Sequence, residues 1–221
     1  MRKKHLVPIL MMLLGANLLA IGSNFFVFSR LGGDPIYVFN EALSRQLGVE
    51  FGTAFLIHNA VYFVLLIILD KRKIGIMTFL IVFGVGPIIN LYAHLFVFPE
   101  HIILRLLFSL CGALSIGIGV GIFISLNYGL PPFEGVMLWL SKKTNFSIKK
   151  TRYILDACYL IFAILIGGIL GVGVVIAFVL LGPTIEYSHK FFRKTILQLP
   201  AINKENEDSS SDKIAKETKA K

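Results

Sequence analysis

Apolar residues fill this chain in long uninterrupted runs, set apart by short polar clusters. A helix needs about 20 residues to cross the hydrocarbon of a bilayer. Six runs come up to that length: residues 6–29, 51–69, 74–96, 102–127, 151–169 and 171–190. Two shorter segments lie between them. Residues 35–47 put Ile36, Phe39, Leu43 and Leu47 on one helical face, and residues 132–143 follow the fourth run in the same way. Neither is long enough to cross alone. The pattern predicts an all-α polytopic membrane protein of about six transmembrane helices plus two short helices, interfacial or re-entrant.

Composition supports that class. The 221 residues are 56% hydrophobic and 16% charged, whereas a soluble domain carries about 25% charged residues to cover its surface. The net charge of +9 would by itself suit a nucleic-acid binder, but its distribution points elsewhere. Asn203 to Lys221 holds five lysines and five acids, so residues 195–221 read as a neutral, disordered cytoplasmic tail. In the apolar region, 14 bases fall at Arg2–Lys4, Lys71–Lys73, Lys142–Arg152 and Lys190–Lys194, against Arg30, Arg45 and Arg105 on the other side. Positive charge collects on the cytoplasmic side of a membrane protein. The imbalance therefore puts both termini in the cytoplasm and leaves no reason to invoke nucleic acid. The first run continues to Phe28 with no small-residue cleavage site, which predicts a retained helix rather than a signal peptide. Cys111 and Cys158 lie inside apolar runs and form no disulfide or zinc pattern.

The chain also resembles itself at an offset of 97 residues. Gly15 pairs with Gly112, Gly22 with Gly119, Phe26 with Phe123, Gly32 with Gly129, Pro35 with Pro132 and Tyr62 with Tyr159. At an offset of 96, Gly75 matches Gly171 and Gly86-Pro87 matches Gly182-Pro183. Each half, 1–98 and 99–194, holds three spans, an odd number, so the second half must enter the membrane from the opposite face. Inverted repeats with interrupted segments in corresponding places point to a transporter-like site between the halves. Duplication of a stable three-helix unit is the plainer alternative.

Several polar residues stand out against this background. Gly32 and Gly129 suit a sharp reversal, and Pro35 and Pro132 suit a first helical turn, where the missing N–H is harmless. Asp34 is positioned as an N-cap. The two helix starts either dip inward and offer amides to an anionic group, or lie in the interface with their helices. Glu134, early in the second short helix, is favoured there by the helix dipole, and its functional reading is a cation or proton site at a cavity mouth. Asn59 and Asp156 are repeat equivalents within spans, where polar groups are expensive and usually face a partner or a cavity. Arg152, one turn before Asp156, is its structural partner. Gly86-Pro87 and Gly182-Pro183 are candidate kinks. The glycines of the first and fourth runs form smooth faces for close helix packing. No phosphate loop, metal set or nucleophile beside a base appears, so the chain is expected to be no enzyme and to need no cofactor or metal.

Gly32-Gly33-Asp34-Pro35, Gly84–Ile88, Tyr128-Gly-Leu-Pro-Pro-Phe-Glu-Gly135, Lys150-Thr151-Arg152 with Asp156, and Leu181-Gly182-Pro183 together resemble the YczE/YyaS/YitT family of bacterial membrane proteins. The resemblance spans residues 8–192. It implies an integral protein of the bacterial plasma membrane, on the branch without the soluble C-terminal domain of YitT-type proteins, and it supplies no catalytic residues. Two functions fit. One is a small secondary transporter or permease-like component binding an unknown small molecule through Asp156, Glu134, Asn59 and Asp34. The other is a non-transporting scaffold or regulator that acts on a membrane-protein partner. A polar cavity between the halves favours the first, and a dry closed interface the second.

Overall fold

The computed structural model describes residues 3–95, 99–126, 128–146 and 148–197, and every regular element among them is helical. In chain order these are α1 (Lys3–Ser29), α2 (Pro35–Leu47), α3 (Phe51–Asp70), α4 (Ile76–Ala93), α5 (Ile102–Leu126), α6 (Pro132–Thr144), α7 (Ile148–Leu165) and α8 (Val172–Leu197). Helices are forced on such a sequence, because each satisfies its own backbone without water. The expected tail falls outside the described residues, save that α8 continues to Leu197.

Five helices are long and apolar enough to cross a membrane: Val7–Ser29, Phe51–Lys73, Ile76–Ala93, Ile102–Leu126 and Val172–Lys194. The sixth expected span is present as α7, but Lys149, Lys150, Arg152 and Asp156 lower its apolarity below that of the others. The outer faces are apolar: Ile68, Ile103 and Leu165 are each about 70% exposed, as suits side chains that meet lipid.

Glycine decides the centre of the bundle. α1 and α5 run antiparallel, and a methyl on Gly22 would come within 2.8 Å of the Gly112 carbonyl, as would one on Gly119 to the Gly15 carbonyl. The other side of α5 meets α8, where Gly117 faces Thr184 and Gly121 faces Ser188. Phe123, Ile122, Ala16 and Ala20 fill the space beside the crossing together with Met77 and Ile81 of α4. α4 reaches Pro87 through a π-helical turn, Leu80–Val85, which accommodates the ring and its missing donor. Pro183, by contrast, sits inside an unbroken α8.

Neither short helix lies flat on the outside. α2 packs on α3 and α7, and α6 packs on α3 and α7. Each is held by a loop exchange at its start. Gly32 takes a φ of 78° and sits against Ile169–Gly171, while the Gly173 amide donates to Leu31 O at 2.8 Å. Gly129 takes a φ of 107° and sits against Gly75, while the Met77 amide donates to Tyr128 O at 3.2 Å and the Leu130 amide to Lys73 O at 3.1 Å. Arg105 and Arg45, on the less basic side, bond carbonyls at helix ends. Arg105 donates to Ser29 O at 2.6 Å and Arg30 O at 3.0 Å, and Arg45 donates to Gly167 O at 2.7 Å.

The crossing predicts a contrast between two glycine substitutions. Gly119→Ala is expected to destabilise the protein in detergent by about 1–3 kcal/mol, the cost of overpacking against backbone. Gly182→Ala, whose methyl meets nothing within 4 Å, is expected to leave the melting temperature unchanged or raise it, since Ala is the better helix former. Thermal denaturation of both variants checks the pair.

Candidate functional site

The start of each short helix is built locally. Asp34 caps α2: its Oδ1 accepts from the Tyr37 amide at 2.9 Å, and Pro35 occupies the first helical position. In α6, Pro132 opens the helix and Glu134 lies in the first turn. That turn is tied to the α3–α4 connection by Lys73, whose Nζ donates to Gly135 O at 3.2 Å and pairs with Asp70 at 3.5 Å. Thr78 Oγ1 donates to Leu130 O at 2.8 Å. Both helix starts are therefore occupied by the chain's own acids, which sit where an anion would bind.

The two starts converge on one cavity of about 100 Å³ at the middle of the bundle. Asp34, Glu134, Asn59 and Arg152 all line it, with Ser23 of α1, Asn40 of α2 and His58 of α3. Tyr37, Phe51, Phe55, Phe123 and Phe133 supply an aromatic wall. Arg152 is the electrostatic hub. Its Nε donates to Asp156 Oδ2 at 3.0 Å, an Nη lies 3.9 Å from Glu134 Oε1, and its guanidinium stands 5.0 Å over the Phe133 ring. Asp34 also feels its charge. Burial pushes the Asp34 carboxyl up to about 6 against the opposing pull of Arg152, and burial likewise raises Glu134. In both, the fold favours the neutral acid, so the protons are held at low pH and lost as pH rises.

Of the four residues singled out from the sequence, Asp34, Asn59 and Glu134 reach the cavity wall. Asp156 stands behind Arg152 and forms the expected ion pair with it. Asn59 spends its amide on Phe55 O at 2.9 Å. Gly32, Pro35, Gly129 and Pro132 make the helix starts, while Gly86, Pro87, Gly182 and Pro183 lie away from the cavity. Glu186 pairs with Lys190 at 2.6 Å on the exposed side of α8.

Three wall features escape a linear reading. Arg152 itself faces the cavity. Asn40 is 1% exposed, and neither of its amide atoms has a partner. His58 bonds the Tyr159 hydroxyl through Nε2 and leaves a buried Nδ1 without a partner. A signal for Asn40 was present: it falls on the same helical face as Ile36, Leu43 and Leu47, a polar residue in an apolar stripe. Buried polar groups without partners are rare in folded proteins, and here they border the same space.

The residues carrying this site lie within a segment, 6–190, that matches a family model described as "Family of unknown function (DUF6198)". The chain belongs to that family. Among its relatives is a Haemophilus influenzae protein printed as "Uncharacterized protein", 27% identical over 192 residues, covering 86% of this chain and 85% of the relative. Two Bacillus subtilis proteins are also similar. YyaS is 26% identical across 72% of this chain and 81% of its own length, and the "Uncharacterized membrane protein YczE" is 27% identical across 79% and 81%. No solved structure matches. Helices of this length and apolarity, with a relative named as a membrane protein, make this DUF6198 member a multi-pass membrane protein in contact with the bilayer.

Removing the hub should expose the charge balance. Arg152→Met leaves Glu134 and Asp156 without their cation, a partly exposed version of breaking a buried pair, and is expected to cost roughly 2 kcal/mol at pH 8. Because both acids can take up protons, the deficit should shrink towards pH 5. Thermal denaturation at the two pH values measures it, and a pH-independent deficit would mean that the arginine acts by packing alone.

Proposed function

We propose that the protein is a small secondary transporter of the bacterial plasma membrane, with both termini cytoplasmic and its substrate site in the cavity between two inverted halves. The observation that carries this reading is the cavity itself. It is lined by the starts of both short helices and by mid-helix residues of α1, α3, α5 and α8. On this reading the protein moves a small molecule without transforming it, and needs no cofactor.

Contacts between the halves support the inverted arrangement. Exchanging the halves at the 97- and 96-residue offsets turns the Gly15–Gly119 contact into Gly112–Gly22, and the Gly32–Gly171 contact into Gly129–Gly75. It likewise relates α2 on α7 to α6 on α3. The seam between the second and third spans differs between the halves. Gly52 of α3 lies hard against Gly86 of α4, whereas α7 and α8 barely touch and Gly182 faces open space. A tight seam opposite a loose one suits alternating access, in which one bundle rocks against the other.

Access to the cavity tests the reading without knowledge of the substrate. Asn59→Cys, in a background with Cys111 and Cys158 replaced by Ser, would be treated with a membrane-impermeant maleimide in right-side-out and inside-out vesicles. A transporter exposes position 59 to each side in turn, so labelling is expected in both preparations. Labelling from one side only, or from neither, would overturn the transporter in favour of the scaffold.

A further inference from the structure

We propose that the cavity binds a small organic ammonium cation, which displaces protons from Asp34 and Glu134 as it enters. The binding chemistry stands on the site alone; its use for transport rests on the reading above.

Charge comes first. Three carboxyl groups, those of Asp34, Glu134 and Asp156, stand around one cation, Arg152, whose Nε is already bonded to Asp156. His58 faces them from α3, and Lys73, reaching α6 from the α3–α4 connection, is committed to Gly135 O and Asp70. The wall residues from α1, α5 and α8 are uncharged. An anion would thus find the one cation already paired with Asp156 and both helix starts already taken by acids. The site has room for positive charge, and while none is present the surplus is relieved by protons on the buried carboxyls.

The wall then selects the kind of cation. Calcium and magnesium take six or more oxygens and zinc four nitrogen, sulfur or oxygen ligands, and among the described residues no group of His, Cys, Asp and Glu is arranged to hold a metal ion. What surrounds the acids instead is aromatic: Tyr37, Phe51, Phe55 and Phe123 line the cavity, and Phe133 already carries the Arg152 guanidinium on its face. Aromatic faces backed by carboxylates recognise alkylated ammonium groups. A cavity of about 100 Å³ limits the guest to a few heavy atoms in this conformation.

Independent evidence that the space is meant for a guest comes from its neutral rim. Asn40, 1% exposed, has no partner for its amide oxygen or nitrogen, and the buried His58 Nδ1 also has none. Both residues border the cavity. A guest N–H would satisfy the Asn40 oxygen and His58 Nδ1 as an acceptor, while the Asn40 amide nitrogen, itself a donor, needs the oxygen of a water accompanying the guest. The proton balance is simple: each positive charge that enters turns one carboxylic acid into a carboxylate and sends one proton to solvent, with no bond made or broken besides O–H.

Proton release in weakly buffered detergent solution near pH 6 tests this, with tetramethylammonium chloride as the probe, because that ion cannot carry a proton itself. Wild-type protein is expected to release about one proton per chain on saturation, and sodium chloride at equal ionic strength none. Glu134→Gln and Asp34→Asn should each reduce the release at least about twofold, and the double variant should abolish it. Glu134→Asp, which keeps an acid in place, should restore part of it and guards against a folding defect, as does elution of every variant as a single species. No release from folded wild type, or release that survives in the double variant, would overturn the cation site. Release without two-sided labelling of position 59 would keep the cation site and remove the transporter. Two-sided labelling without release would do the reverse.

Discussion

Inside a bilayer no backbone N–H or C=O finds water, so a chain can leave its helix only where other protein takes up the freed groups. Everything central in this molecule follows from how it meets that demand twice. The break after α1 is closed by the Gly171–Gly173 strip ahead of α8, and the break after α5 by the Lys73–Met77 strip ahead of α4. In each case a glycine at positive φ turns the chain and another glycine clears space for a backbone to approach. Those exchanges bring two short helices into the bundle and leave their first turns at its middle.

Once the helix starts are inside, charge has to be managed there. Asp34 and Glu134 stabilise the positive ends of α2 and α6, yet two acids in a nonpolar surround need a counter-charge. Arg152 supplies it from α7, and Asp156, one turn on, fixes the guanidinium. This also explains why α7 is the least apolar of the six expected spans. Arg152 faces the cavity and Asp156 pairs with it, so this part of its composition reports a site rather than a boundary with water.

The same economy of contacts gives the molecule its unevenness. The α1–α5 crossing and the α5–α8 contact are fixed by glycines whose replacement would collide with backbone or neighbouring helices. The first half is further closed by Gly52 against Gly86 and by Asn24, which bonds Ile89 O at 3.0 Å across α1 and α4. At the α7–α8 seam Gly182 meets nothing within 4 Å, and a stacked pair, Tyr153 and Phe178, bridges it with ring centroids 5.8 Å apart. Rigidity on one side and slack on the other are properties of packing, and they surround the cavity unequally.

By itself, the sequence determined that the chain is helical, that its long runs suit a bilayer, where α2 and α6 begin, and that Asp34, Glu134 and Asn59 were worth attention. Those are local properties: run length, the period of a helical face, a proline after a glycine, an acid at a helix start. Arg152 with Asp156 was legible for the same reason, being four residues apart. Only the tertiary structure decided that Arg152 faces Glu134 and Asp34 as well, that Asn40 and His58 border the same space without partners, and that the short helices are enclosed rather than laid on the surface. Those facts depend on contacts between different helices, from 18 residues apart for Arg152 and Glu134 to 118 for Arg152 and Asp34, brought together by the α1–α5 crossing and the two loop exchanges. No periodicity along one segment records which distant segment will pack against it.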